Sequence, residues 1–86
     1  MNTFRLTITS PDGNAFEGEA ISLSVRGTEG ELAVMAGHIP FVTTVISCQS
    51  RIKLTDSNII TADISDGLLT VSKEVTTLLV NYFNLK

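Results

Sequence analysis

Two carboxylates and the only histidine of the chain lie in one short segment, and their types could support chemistry. Glu29 and Glu31 flank Gly30, and His38 follows shortly afterwards. If the side chains of Glu29, Glu31 and His38 converged, they could bind a metal ion or act as an acid–base pair. Structural zinc sites, however, use Cys and His in paired spacings that this chain lacks. A small enzyme or metal protein is therefore one hypothesis, and a solvated loop is the simpler interpretation.

Other enzyme signatures are missing from the sequence. It contains no P-loop, no dinucleotide-binding fingerprint and no G-x-S-x-G elbow. Cys48 is the only cysteine, so it cannot form an internal disulfide, and a small packed hydrophobic residue is its simplest interpretation. The sequence therefore predicts a protein that is not an enzyme and that has no catalytic residue, metal ion or cofactor.

Composition and charge narrow the class of protein. The chain has 86 residues, of which 43% are hydrophobic, and a net charge of −3. This predicts one folded domain over residues 1–86 rather than a disordered chain. The basic residues are scattered along the sequence, whereas nucleic-acid binding requires concentrated positive charge, so we expect no nucleic-acid partner. No apolar run approaches the roughly 18 residues that span a bilayer, so we expect no membrane insertion.

The elements that would position Glu29, Glu31 and His38 are strands. Thr, Ile and Val together make up 26 of the 86 residues, and β-branched side chains favour strands. Apolar residues alternate with polar ones in many short segments, as in Phe4–Ile8, with turn residues every 8–12 positions. The pattern predicts an all-β, antiparallel sandwich or barrel. It also predicts a hairpin at Asp66-Gly67 and a last strand over Val75–Tyr82.

The segment over residues 27–44 combines several turn and strand signals. Glycines at positions 27, 30 and 37 mark sites that need a positive φ or a close approach of the backbone. Leu32 and Val34 alternate with their neighbours as in a half-buried strand. Pro40 interrupts the hydrogen-bonding ladder before the next strand. We interpret the segment as a loop presented for contact.

A series of short motifs runs over nearly the whole chain in a fixed order. The motifs are Ser10-Pro11-Asp12-Gly13, Phe16-x-Gly18-Glu19-Ala20, Val25-x-Gly27-x-Glu29-Gly30-Glu31-Leu32-x-Val34, Gly37-His38-x-Pro40, Arg51-Ile52, Ser65-x-Gly67-x-Leu69-x-Val71 and Val75-Thr76. In their order and spacing these motifs resemble the epsilon subunit of F-type ATP synthases. The resemblance implies a flattened β-sandwich of about ten short strands.

The resemblance also implies a function and a set of contact residues. It implies a rotor subunit of the central stalk, which binds the gamma subunit and touches the polar loops of the c-ring to couple ion flow to ATP synthesis. Glu29, Gly30 and Glu31 match the loop that faces the c-ring. The residues that match the turn and strand facing gamma and the ring are Gly37, His38, Pro40, Phe41, Thr43 and Thr44. An apolar patch for gamma is also expected, with Val42, Ile46 and one face of Val75–Val80 as candidates.

Two further expectations follow from the resemblance, and one alternative stays open. The protein is expected at the cytoplasmic face of a bacterial, rather than an organellar, membrane, as a peripheral part of the synthase. The C-terminal helical hairpin usual in that family has no counterpart in these 86 residues, so its regulatory activities are not carried over. The alternative is a free-standing β-sandwich adaptor whose loop over residues 27–40 recognises another protein.

Overall fold

The computed structural model describes residues 2–86 and shows an all-β sandwich. Within this range there are ten strands: β1 (Phe4–Ser10), β2 (Gly13–Ala20), β3 (Ser22–Gly27), β4 (Gly30–Met35), β5 (Phe41–Val45), β6 (Cys48–Thr55), β7 (Asn58–Ile64), β8 (Gly67–Val71), β9 (Thr76–Val80) and β10 (Phe83–Leu85). The expected fold class and the expected number of strands are confirmed. No helix in residues 2–86 is long and apolar enough to span a bilayer.

The strands form two halves that meet at a single bridge. Strand order is β10-β7-β6-β3-β5-β8-β9-β1-β2, and β4 pairs with the other side of β3. The halves are joined where Gly27 of β3 pairs with Val45 of β5. One half therefore contains β3, β4, β6, β7 and β10, and the other contains β1, β2, β5, β8 and β9.

One core lies between the two halves. Because side chains alternate between the faces of a strand, each strand sends every second residue inward. The largest fully buried apolar side chains are Leu6, Ile8, Leu23, Ile52, Ile64, Leu69 and Leu78. They belong to a single hydrophobic cluster that draws on both halves. Burying one such side chain contributes roughly 1.5–3 kcal/mol. The inward side chains of the alternating pattern are therefore the main source of the free energy of folding.

The sheet is mixed, which corrects the expectation of a purely antiparallel sandwich. β1 pairs in parallel with β9, with Leu6 opposite Thr76 and Thr9 opposite Leu79. No hairpin can join two parallel neighbours, so this pairing depends on a long-range connection. The last strand predicted over Val75–Tyr82 corresponds to β9, which ends at Val80 before a bend at Asn81, and the prediction did not include β10.

The hairpin predicted at Asp66-Gly67 is wrong. β7 pairs with β6 and β10, whereas β8 pairs with β5 and β9, so these residues cross from one half to the other. Asp66 Oδ1 accepts a hydrogen bond of 2.7 Å from the Ser47 backbone N–H. Ser65 Oγ accepts one of 2.7 Å from the Asn81 backbone N–H. Ser47 lies in the β5–β6 connection and Asn81 in the β9–β10 connection, and both connections also pass from one half to the other. The hydrogen bonds of Ser65 and Asp66 therefore link these two connections to the β7–β8 connection.

Candidate functional site

The β3–β4 turn presents the two carboxylates of the predicted ring-facing loop. Thr28 and Glu29 form the turn between Gly27 and Gly30, which are paired. Gly30 has a φ of +126°, a conformation that L side chains rarely adopt, so the turn requires glycine there. Glu29 and Glu31 are both exposed. Glu31 lies directly opposite Arg26 on β3, but the pair does not approach to salt-bridge distance among the contacts of residues 2–86.

The predicted turn around His38 lies at the other end of β4. Its six residues separate Gly30 from Met35 by about 17 Å, from the rise of an extended strand. His38 is exposed; its ring centroid lies 4.9 Å from that of Phe41, and its Nδ1 lies 3.1 Å from the Ile39 carbonyl oxygen. His38 therefore packs locally and does not approach Glu29 or Glu31.

The structure contradicts the metal or catalytic cluster considered for Glu29, Glu31 and His38. Metal ligands must all lie within about 2–2.6 Å of one ion, and a whole strand separates the carboxylates from the imidazole. Residues 2–86 contain no group of three or more His, Cys, Asp or Glu side chains that could hold a metal ion.

The remaining predicted contact residues divide by the face they occupy. Gly37 and Pro40 are exposed in the turn with His38, and Gly37 has a φ of +84°. Phe41 is half-buried and packs on the core, as the alternation of β5 requires. Thr43 shares the parity of Phe41 and lies beside the β3–β4 turn. Thr44 points outward and is exposed. The predicted set is therefore spread over both ends and both faces of the sandwich.

Thr44 belongs to an uncharged part of the outer face of the half with β1, β2, β5, β8 and β9, which we call the uncharged face. Arg5 on β1 and Glu17 on β2 border it. Two cross-strand rows form it. One row runs through Val42, Thr70, Thr77 and Thr7, and the other through Thr44, Leu68, Leu79 and Thr9. Val42 is 62% exposed, Leu79 45% and Leu68 40%. Two of the sequence candidates, Val42 and the Leu79 side of β9, lie here.

Leu68 was not among the sequence candidates, and Ile46, which was, does not lie on the uncharged face. Ile46 lies in the β5–β6 crossover, where its N–H donates to the Arg26 carbonyl oxygen. Leu68 joins the face because it pairs with Thr44 on one side and Leu79 on the other. Only the pairing of β5, β8 and β9 reveals this, although the alternation of β8 already assigned Leu68 to the side opposite Leu69.

The outer face of the other half is charged. Arg26 on β3 and Arg51 and Lys53 on β6 all point outward there, and we call these three residues the basic strip. The basic residues that are scattered in sequence are thus partly gathered by the fold.

A family model described as "ATP synthase, Delta/Epsilon chain, beta-sandwich domain" matches residues 3–85. The chain belongs to this family. Two curated relatives, both named ATP synthase epsilon chain, are 32% identical over 74 residues in Ruminococcus albus and 33% identical over 79 residues in Exiguobacterium sp.. The matches cover 86% and 92% of this chain but only 54% and 58% of the relatives. This delta/epsilon β-sandwich therefore spans little more than half the length of the curated relatives it matches.

Solved structures show the same fold for this delta/epsilon β-sandwich. A chain of the Euglena gracilis mitochondrial ATP synthase (OSCP/F1/c-ring in rotational state 1) superimposes with a TM-score of 0.89 at 21% identity, covering 96% of this chain and 53% of that one. A chain of the Tetrahymena thermophila mitochondrial ATP synthase central stalk and c-ring gives a TM-score of 0.80 at 9% identity, covering 95% and 66%. At these identities the likeness extends to the fold alone.

Proposed function

We propose that the chain acts as a non-catalytic central-stalk (rotor) component of a rotary ATP synthase. It binds the gamma subunit, touches the polar loops of the c-ring and so helps to couple ion flow to ATP synthesis. Membership of the delta/epsilon family supports this assignment. The observation that carries it is the uncharged face, because a broad apolar and Thr-rich surface with three exposed aliphatic side chains fits a stable protein contact.

The two proposed contacts differ in their chemistry. The uncharged face, with Val42, Leu68 and Leu79 at its centre, is the proposed gamma contact, and apolar burial there depends little on salt. The β3–β4 turn, with Glu29 and Glu31, is the proposed c-ring contact, where carboxylates pair with basic side chains and salt weakens the interaction. We further propose that the turn before β5 and the inward side of β5 contribute contacts to gamma and the ring, through Gly37, His38, Pro40, Phe41 and Thr43.

The location and organisation of the protein follow from this role. Residues 1–86 form one domain, which the single core cluster supports. The domain lies peripherally at the cytoplasmic face of a bacterial membrane, within the synthase and without membrane insertion, in keeping with its bacterial relatives.

Co-expression with the gamma subunit of the same source, followed by size-exclusion chromatography, tests the proposal. We expect a one-to-one complex that persists when the salt concentration is raised, because the uncharged face dominates the contact. Separate elution in mild salt would contradict the rotor assignment. It would favour the adaptor alternative, in which the loop over residues 27–40 recognises a different protein.

Reversal of charge in the β3–β4 turn tests the ring contact. We expect Glu31→Lys to weaken association of the gamma-bound protein with detergent-solubilised c-ring roughly three- to tenfold at low salt, because a paired carboxylate becomes a repelling cation. The new Lys lies opposite Arg26, and this pair of like charges should lower the free energy of unfolding by less than about 1 kcal/mol. Glu29→Lys should weaken ring association similarly without creating that pair.

The matched control is Glu74→Lys, which makes the same change of charge in the exposed turn between β8 and β9. It should leave binding to the detergent-solubilised c-ring unchanged when co-sedimentation measures the association of both variants. Equal losses in Glu74→Lys and Glu31→Lys would show that net charge, rather than the β3–β4 turn, governs the association.

A further inference from the structure

The basic strip places three cations within reach of one bound segment. Ser24 pairs with Arg51 and Ser22 with Lys53, so β3 and β6 lie side by side with their outward residues in register. Arg26 is the next outward residue on β3. Neighbouring strands are about 4.8 Å apart and outward residues along a strand about 6.8 Å apart, so the three side chains share one small area.

The strip carries positive charge that the rest of the described chain does not neutralise. The salt bridges in residues 2–86 join Arg5 to Glu17 at 2.9 Å and Lys86 to Asp63 at 3.4 Å, and neither involves the strip. The bridge to Lys86 occupies Asp63 on the adjacent strand β7. Glu31 lies opposite Arg26, so the strip and its cross-strand partners carry two more positive than negative charges, in a protein with a net charge of −3.

Exposed aliphatic side chains flank the strip on both sides. Ile59 on β7 lies directly opposite Lys53 and is 54% exposed. Met35 on β4 pairs with Ser22, the neighbour of Lys53, and is 55% exposed. A nucleic-acid backbone or a free phosphate would use the cations but would leave Ile59 and Met35 in water. A protein segment with carboxylates beside apolar side chains would use both.

We propose that the basic strip, with Met35 and Ile59, binds an acidic amphipathic segment of a protein partner. The carboxylates pair with Arg26, Arg51 and Lys53, and the apolar side chains cover Met35 and Ile59. The surface lies on the outer face of the half that lacks the uncharged face, so it can be occupied while the proposed gamma contact is made. Binding of the segment does not require the ring contact, since the segment pairs with the basic strip and not with Glu29 or Glu31.

Fluorescence anisotropy with the purified chain tests this inference at low ionic strength. The probe is a labelled amphipathic peptide of glutamate, leucine and alanine, and the comparison peptide has glutamine in place of every glutamate. We expect saturable binding of the glutamate peptide that weakens with salt. Arg51→Glu should reduce affinity at least about tenfold, and Arg51→Gln about threefold. Lys73→Glu, with the same change of net charge in the β8–β9 turn of the other half, should bind like the parent chain.

Several results would overturn the inference. They are an absence of binding, equal affinity for the glutamate and glutamine peptides, or equal losses in Arg51→Glu and Lys73→Glu. Displacement of the peptide by a single-stranded oligonucleotide at comparable concentration would assign the strip to nucleic acid instead. Circular dichroism of each variant identifies one that has not folded, and Arg51→Gln then provides the test, since removal of an exposed charge leaves the strand intact.

Discussion

Replacing Gly67 by alanine is expected to lower the free energy of unfolding by at least about 3 kcal/mol. Gly67 is the first residue of β8 and lies between two strands, paired with Val45 of β5 and Val80 of β9. A Cβ at this position would overlap the Leu79 carbonyl oxygen and lie 2.9 Å from Val80 Cγ1. Because Leu79 is part of a hydrogen-bonded strand, its backbone cannot move aside without breaking the β8–β9 ladder.

Thermal unfolding followed by far-UV circular dichroism measures this effect, and a loss of 3 kcal/mol corresponds to a fall in Tm of more than about 12 °C for a protein of this size. Gly18→Ala is the matched control. A Cβ at Gly18 would meet Phe16 Cζ at 3.7 Å, an ordinary contact. We expect that variant to stay within about 1 kcal/mol of the parent. A Gly67→Ala protein as stable as Gly18→Ala would refute the close approach of β8 to β9.

Replacing Leu79 by lysine is expected to weaken gamma binding at least about thirtyfold, which corresponds to roughly 2 kcal/mol. Leu79 lies in the row between Leu68 and Thr9 and is 45% exposed. A cation there would be buried against an apolar partner surface without a counter-charge, and that burial is costly. Because the side chain points outward, the free energy of unfolding should change by less than about 1 kcal/mol.

Titration calorimetry of the variant with purified gamma subunit measures the loss. Ile59→Lys is the control, since it places a lysine on an exposed strand position of the other half, where the isoleucine is 54% exposed. It should bind gamma like the parent chain. If Ile59→Lys and Leu79→Lys lost the same affinity, the gamma contact would not be confined to the uncharged face.

Alternation along single strands made much of the fold predictable from sequence. Leu6 and Ile8 were expected to point inward from the first strand, and both are fully buried. This works because the period of two in a strand is local and needs no knowledge of its neighbours. The all-β class and the number of strands followed from the same signal and from the family resemblance.

The pairing of distant strands could not be predicted in this way. Asp66-Gly67 has the residue types of a tight hairpin turn, but the strands it joins belong to different halves. The parallel pairing of β1 with β9 depends on contacts between residues that are about seventy positions apart, which no local pattern reveals. The basic strip could not be predicted either, because nothing near Arg26 in the sequence indicates that Arg51 lies on the neighbouring strand.

The candidate contact residues show the same limit. Val42 and one face of Val75–Val80 were candidates for an apolar patch, but only the pairing of β5, β8 and β9 joins Val42, Leu79 and Leu68 into one surface. The proximity of Glu29, Glu31 and His38 in the sequence suggested a cluster, but the extended strand β4 holds the two carboxylates apart from the imidazole.

The parallel pairing of β1 with β9 also has a consequence during protein synthesis. Leu6 pairs with Thr76, which is translated seventy positions later, and at roughly 5–20 residues per second this takes about 4–14 s. Throughout that interval β1 has β2 as its one available strand partner, and an isolated hairpin is marginally stable in water. Arg5, Glu17 and Glu19, all on that hairpin, keep the waiting segment charged. Charged side chains disfavour the pairing of an exposed strand edge with another chain, so these three residues oppose such pairing until β9 is translated.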